Sequence, residues 1–141
     1  MVQGTASGVG KSMLTAALCR IFARAGHRVA PFKSQNMALN AAVTLDGGEI
    51  GRAQAAQAAA ARVEATVDMN PILLKPEPGH RCQVVVRGRA VGSRDWREYV
   101  AMQSELLPRV AESLQGLRRD FELVLIEGAG SPAEINLRES D

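Results

Sequence analysis

The nine residues at positions 4–12, Gly-Thr-Ala-Ser-Gly-Val-Gly-Lys-Ser, constrain the fold of this chain more than any other segment. Glycines at 4, 8 and 10 allow the backbone to turn its N–H groups inward. Directly after them Met13, Leu14, Ala17, Leu18, Ile21 and Phe22 recur at helical spacing. A glycine-rich turn that opens a helix gathers inward N–H groups and the positive end of the helix dipole at one point, which favours a phosphate. Lys11 offers a mobile cation to the outer phosphates, and the Ser12 hydroxyl can ligate magnesium. Thr5, Ser7, Gly8, Val9, Gly10, Lys11 and Ser12 are therefore the expected nucleotide-binding residues, with ATP or a close relative and Mg2+ as ligands. Counting back from Gly10, Thr5 stands where the usual pattern has its first glycine, so the loop is a variant.

Such a loop requires a strand before it and others beside it. Residues 1–3 read as the tail of a first strand, short against the usual five or so residues. Gly26 lies where a left-handed cap would end the helix, and residues 28–33 form a second strand that a right-handed crossover sets parallel to the first. Pro31 places that strand near an edge or a strand end. Asp46-Gly47-Gly48 predicts a turn, residues 49–62 an alanine-rich helix, and Asn70-Pro71 a break. Residues 72–74 and 83–87 are short apolar strands around a loop at 75–81 that is expected to be mobile. Residues 96–115 keep helical spacing, with Pro108 predicted to divide them into two pieces. Residues 123–126 predict a central strand buried on both faces, with Glu127 at its C-terminal end. The alternation argues for an α/β fold with an open, mostly parallel sheet flanked by helices.

Bulk properties narrow the partners. The 141 residues suit one domain, and 46% apolar with 23% charged residues is far from the signature of disorder. The net charge of +2 comes from scattered arginines with no interleaved aromatic residues, so no nucleic-acid partner is indicated. No apolar run approaches the roughly 18 residues of a membrane span. Cys19 and Cys82 stand far apart in apolar stretches, which suits two buried thiols and a cytoplasmic setting.

Three further residues carry candidate chemistry. Glu127 stands where folds of this kind place an acidic group near magnesium or its bound water; a capping carboxylate is the alternative. Glu49 opens the predicted alanine-rich helix, where the dipole favours a carboxylate whether or not it binds metal. Lys33 ends the second strand ahead of Ser34-Gln35-Asn36 and can neutralise a transferring phosphoryl group or a substrate carboxylate; a solvated lysine is the alternative. His27, His80, Trp96 and Tyr99 read as core or surface residues.

Taken together, V-Q-G-T-A-S-G-V-G-K-S, P-F-K-S-Q-N-M-A-L-N, G-G-E-I-G-R-A-Q, M-N-P-I-L-L-K-P and I-E-G-A-G-S-P-A-E-I-N-L-R resemble the cobyric acid synthase family of glutamine-dependent amidotransferases of cobalamin synthesis. The resemblance implies the N-terminal part of an ATP-binding synthetase domain, a P-loop NTPase fold similar to dethiobiotin synthetase, here incomplete at both ends. A glutaminase domain, the partner that supplies ammonia, is absent from residues 1–141. It also implies that ATP phosphorylates side-chain carboxylates of a corrinoid of the adenosylcobyrinic acid a,c-diamide type, and that ammonia then displaces phosphate. By similarity, Ser12, Glu49 and Glu127 would hold magnesium, and Lys11 and Lys33 would be catalytic, stabilising the transferring phosphoryl group. Gln35, Asn36 and Asn40, with Ser131, Glu134 and Asn136, would line the corrinoid side.

The chain departs from the family at Glu77-Pro78-Gly79-His80-Arg81, and after Tyr99 it lacks a His and a Lys that often follow there. No histidine follows Cys82, so a glutaminase nucleophile and base are not both present, and the chain alone is expected not to hydrolyse glutamine or complete the reaction. Three other readings remain: a stand-alone dethiobiotin synthetase-like enzyme, an inactive nucleotide-binding remnant, and a partitioning ATPase. The last commonly carries an extra lysine early in the loop, and Thr5, Ala6 and Ser7 supply none.

Overall fold

The computed structural model describes residues 1–129. Ser131, Glu134 and Asn136 lie outside the described residues. The elements run α1 (Lys11–Arg24), β1 (Val29–Phe32), β2 (Gln35–Met37), β3 (Ala41–Val43), β4 (Glu49–Gly51), α2 (Arg52–Ala61), a 3₁₀ turn (Val67–Met69), β5 (Ile72–Glu77), β6 (Arg81–Val86), β7 (Arg89–Asp95), α3 (Trp96–Asp120) and β8 (Leu123–Ile126).

Parallel pairing organises the site end of the molecule. β8 runs alongside β1 from Val29 opposite Leu123 to Phe32 opposite Ile126, and Glu127 makes a single parallel bridge to Val2 on the other edge. At Lys33 the chain changes partner: its N–H donates to the Met69 carbonyl, and β2 then runs parallel to β5. Phe32 turns its carbonyl to β8, so Pro31, one residue back, directs its missing donor away from that ladder. The sheet continues antiparallel through β5, β6 and β7, and β3 with β4 forms a separate hairpin.

The side chains of β1 alternate between two cores, as strand periodicity requires. Val29 packs with Leu123 and Leu125 under Cys19 and Phe22 of α1. Ala30 and Phe32 pack with Val124 and Ile126 under Leu114 and Leu117 of α3. A third core places Tyr99 and Leu106 of α3 over Ile72, Leu74 and Val84. No described helix is long and apolar enough to cross a membrane.

Several sequence expectations need correction. The alanine-rich helix starts at Arg52, not at 49: Thr44 N–H donates to the Gly48 carbonyl and Gly48 N–H donates to Thr44 Oγ1, which closes the hairpin and holds Glu49 in β4, and Gly51 is extended at the helix entrance (φ −59°, ψ 135°). The loop expected at 75–81 is mostly strand, because Lys75, Pro76 and Glu77 pair with Gln83, Cys82 and Arg81, leaving a tight turn with Gly79 and His80 at positive φ. β7 was not anticipated; Arg87 and Gly88, both at positive φ, turn β6 back into it.

α3 is one helix of 25 residues rather than two pieces. A capping box between Asp95 and Glu98 starts it. Buried Leu106 before Pro108 and Leu117 after it anchor it to the sheet, Ser113 bonds Asp68 of the 3₁₀ turn, and this packing overrides the roughly 3 kcal/mol a mid-helix proline costs. β8 is half-buried along its length rather than sealed. Among the described residues, only the bridge at Val2 meets its far edge. Cys19 is buried and Cys82 half-buried, both as free thiols.

Candidate functional site

The loop at residues 4–12 is shaped by three glycines with different tasks. Gly8 (φ +75°) and Gly10 (φ +98°) occupy the left-handed region that side chains disfavour. Gly4 is needed for space: a Cβ there would stand 2.6 Å from Val9 Cγ2 and 3.0 Å from Lys11 Cγ. Thr5 faces outward and tolerates a side chain, which accounts for the one-residue shift in the glycine pattern. Gly10 caps α1, and its carbonyl receives the first helical bond from Leu14 N–H at 2.9 Å. The Lys11 ammonium donates to the Ala6 carbonyl at 2.9 Å, across the mouth of the loop.

Opposite this loop stand the ends of two adjacent parallel strands. β1 delivers Lys33 and β8 delivers Glu127, whose backbone N–H donates to the Phe32 carbonyl at 2.8 Å. The Glu127 carboxylate is 1% exposed. Its Oε1 accepts from Ser12 Oγ and from Lys33 Nζ, each at 2.8 Å, and its Oε2 accepts from Gln57 Nε2 at 2.6 Å. Burial opposes ionisation here, but the hydrogen bonds from Lys33, Gln57 and Ser12 and the Lys33 charge outweigh it, holding the carboxyl below its ordinary range. These groups close a cleft of about 300 Å³ lined by Ser7, Gly8 and Gly10 of the loop, Lys11, Ser12 and Met13 of α1, and the strand-end residues Lys33 and Glu127.

The cleft pairs cationic and N–H-rich walls for phosphate with hard oxygens for a cation. Ser12 Oγ and Glu127 Oε1 lie 2.8 Å apart, close to the roughly 2.9 Å between neighbouring oxygens of an octahedral magnesium with bonds of 2.0–2.1 Å. Among the described residues no group of three or more His, Cys, Asp or Glu side chains could hold a metal. Two protein oxygens completed by phosphate and water suit magnesium, which is seldom caged by protein alone. The residues present fit the ion.

The other expected site residues are distributed elsewhere. Thr5 and Val9 are exposed and do not line the cleft. Glu49 does not line it either; its carboxylate accepts from Lys75 Nζ at 2.9 Å. On β2, Gln35 Oε1 accepts from the buried Tyr99 hydroxyl, whereas Asn36 is buried on the opposite face of the strand beside Gly51. Asn40 is exposed in the connection to β3.

Two amides that sequence reasoning passed over hold the site together. Asn70 donates to the carbonyls of Lys33 (3.2 Å) and Ile72 (2.9 Å) and accepts from Gly51 N–H (3.1 Å), bracing β1, β5 and the entrance to α2. Gln57, fully buried on α2, also donates to the Ser12 carbonyl at 3.2 Å. The available signal was a glutamine inside an alanine run, a polar residue where packing alone asks for none.

The CobQ/CobB/MinD/ParA nucleotide binding domain family matches this chain over residues 1–131. Over all 141 residues the chain is 67% identical to the cobyric acid synthase of Sorangium cellulosum (strain So ce56) and 60% identical to that of Methylorubrum populi (strain ATCC BAA-705 / NCIMB 13946 / BJ001). It is 57% identical to the cobyric acid synthase of Clostridium acetobutylicum (strain ATCC 824 / DSM 792 / JCM 1419 / IAM 19013 / LMG 5710 / NBRC 13948 / NRRL B-527 / VKM B-1787 / 2291 / W). In each comparison the whole chain is covered, but it spans only 27%, 29% and 29% of those proteins respectively.

Proposed function

The chain belongs to the CobQ/CobB/MinD/ParA nucleotide-binding domain family, and from that premise we propose that it binds magnesium-ATP in the cleft between the loop and Glu127. There it activates side-chain carboxylates of a corrinoid for amidation, as part of cobyric acid synthesis. The observation that carries this reading is the convergence of Ser12 and Lys33 on one oxygen of the Glu127 carboxylate at the mouth of the loop. Similarity to three cobyric acid synthases over the whole chain supports the substrate class.

Inward N–H groups of the loop and the start of α1 bind the phosphates, and Lys11 moves from the Ala6 carbonyl to the outer phosphates. Ser12 and Glu127 would hold magnesium, which supplies charge neutralisation on the phosphate oxygens when bound. Lys33, fixed through its carbonyl by Asn70 and through its N–H by Met69, presents an ammonium to the phosphoryl group in flight. A corrinoid carboxylate oxygen attacks the γ-phosphorus, the bond to the β,γ-bridging oxygen breaks, and ADP leaves. Ammonia from a glutaminase domain then attacks the acyl carbon, and phosphate departs with the carbon–oxygen electron pair and takes up the proton that nitrogen sheds. Gln35 and Asn40, with Ser131, Glu134 and Asn136, are proposed to serve the corrinoid side; Asn36, buried on the opposite face of β2 from Gln35, is not. Glu49 could join the magnesium site only on release from Lys75.

The test is a calorimetric titration of the chain with magnesium and a non-hydrolysable ATP analogue, repeated with a corrinoid diamide and with diaminopelargonate as second ligands. The reading expects the corrinoid alone to change nucleotide affinity. A change with diaminopelargonate alone would move the substrate to that of dethiobiotin synthetase.

A further inference from the structure

One buried group beside the site, the Gln57 amide, has no part in the phosphoryl transfer. α2 has the sequence Arg-Ala-Gln-Ala-Ala-Gln-Ala-Ala-Ala-Ala, and Gln57 lies fully buried in its middle. Alanine there would be the better helix former and would bury nothing polar. Gln57 instead leaves its own Oε1 buried without a partner among the described residues, a standing cost to the fold. A residue that breaks the local rule at such a cost calls for a functional reason.

Both hydrogens of one nitrogen account for it. Gln57 Nε2 donates to Glu127 Oε2 at 2.6 Å and to the Ser12 carbonyl at 3.2 Å. Reversing the amide would aim its oxygen at a carboxylate and a carbonyl, two acceptors, so its orientation is set by its partners. The Glu127 oxygen that faces the cleft is Oε1, shared by Ser12 and Lys33. Without Gln57, Oε2 would lose its donor among the described residues, and the carboxylate would be held through Oε1 alone. The same nitrogen also ties the first turn of α1 to the end of β8, and so sets the distance between the Ser12 and Glu127 oxygens.

We infer that Gln57 is a positioning residue for the magnesium site: it holds Glu127 by the oxygen that faces away from the cation and fixes Ser12 from behind. The inference rests on the cleft being a magnesium-nucleotide site, as proposed above. Outer partners that orient a ligating group typically govern 10–100-fold in metal affinity.

The experiment measures binding of a fluorescent ATP analogue to the chain in chelator and across a magnesium titration, for the native protein and for Gln57→Met, which keeps the volume and removes both donors. The expected result is an apparent magnesium affinity weakened about 10–100-fold, with metal-free nucleotide affinity within about twofold of native. An unchanged magnesium affinity would overturn the inference, as would a parallel loss of metal-free binding, which a merely structural role would give. If circular dichroism shows that Gln57→Met does not fold, Gln57→Asn, whose amide falls one methylene short of Glu127, is read by the same criteria. Native protein that binds the analogue with no response to magnesium would instead remove the underlying site assignment, and the inference with it.

Discussion

Replacing Lys33 by methionine removes the ammonium 2.8 Å from Glu127 Oε1 while keeping most of the apolar stem. The Lys33 and Glu127 side chains are 13% and 1% exposed, so solvent screens their attraction little. Losing one partner of such a pair costs about 3–5 kcal/mol. Ser12 and Gln57 continue to donate to the carboxylate, which places the cost at the lower end, about 3 kcal/mol near neutral pH. With an unfolding entropy of about 2.1 cal/mol/K per residue over 141 residues, the melting temperature falls by about 10 °C.

The pH dependence follows from the sign of the shift. In the native protein Glu127 titrates below its ordinary value, so its stabilisation is complete above the unfolded carboxylate range and is lost as pH falls through the folded value. In Lys33→Met, burial is no longer outweighed and the carboxyl moves upward, so protonation relieves the unpaired charge. The deficit is therefore largest near neutral pH and narrows on acidification to about pH 4. The double variant Lys33→Met/Glu127→Gln, with neither charge, recovers most of the loss. Thermal melts followed by circular dichroism in chelator, across this pH range, provide the assay. A deficit that stays constant with pH, or a double variant as unstable as Lys33→Met, would refute the reasoning.

Lys11→Ala is expected to abolish magnesium-ATP binding in calorimetry with a melting shift of no more than a few degrees, because among the described residues its one side-chain hydrogen bond goes to the Ala6 carbonyl of a surface loop. Gly51→Ala is expected to cost about 1–2 kcal/mol in urea denaturation, since a Cβ there would stand 2.5 Å from both Asn36 Nδ2 and Gln54 Oε1, and these buried amides must shift to admit it. Burial pushes the Cys19 thiol up to about 11, so an aromatic disulfide reagent at pH 8 is expected to label Cys19 only in denaturant, with peptide mapping as the check.

How far these features could be read beforehand differs from element to element. α1 and the loop before it were legible because glycine freedom, helical spacing and Lys-Ser all pointed the same way. β8 with Glu127 was legible as an apolar run ending in an acid. Helix propensity alone puts Glu49 in α2, but hairpin pairing competes at residues 49–51, and the bonds of the Thr44–Gly48 turn win. A local proline rule divides α3 in two because it cannot weigh the distant core that holds Leu106 and Leu117. Gln57 and Asn70 escaped notice for a related reason: each acts through residues far off in sequence, at separations of 70 and 37 positions. The pairing of Ser12 with Glu127, 115 positions apart, was anticipated only through the loop pattern and the family resemblance.

The most direct test of the central claim, that one cation bridges the first turn of α1 and the end of β8 beside bound phosphates, uses manganese in place of magnesium. Titration of the chain and a non-hydrolysable ATP analogue with manganese, followed by electron paramagnetic resonance, is expected to show one tight site that requires the nucleotide. In Glu127→Gln that site weakens about 10–100-fold. Equal manganese affinity in the native protein and Glu127→Gln, with nucleotide bound in both, would contradict the account.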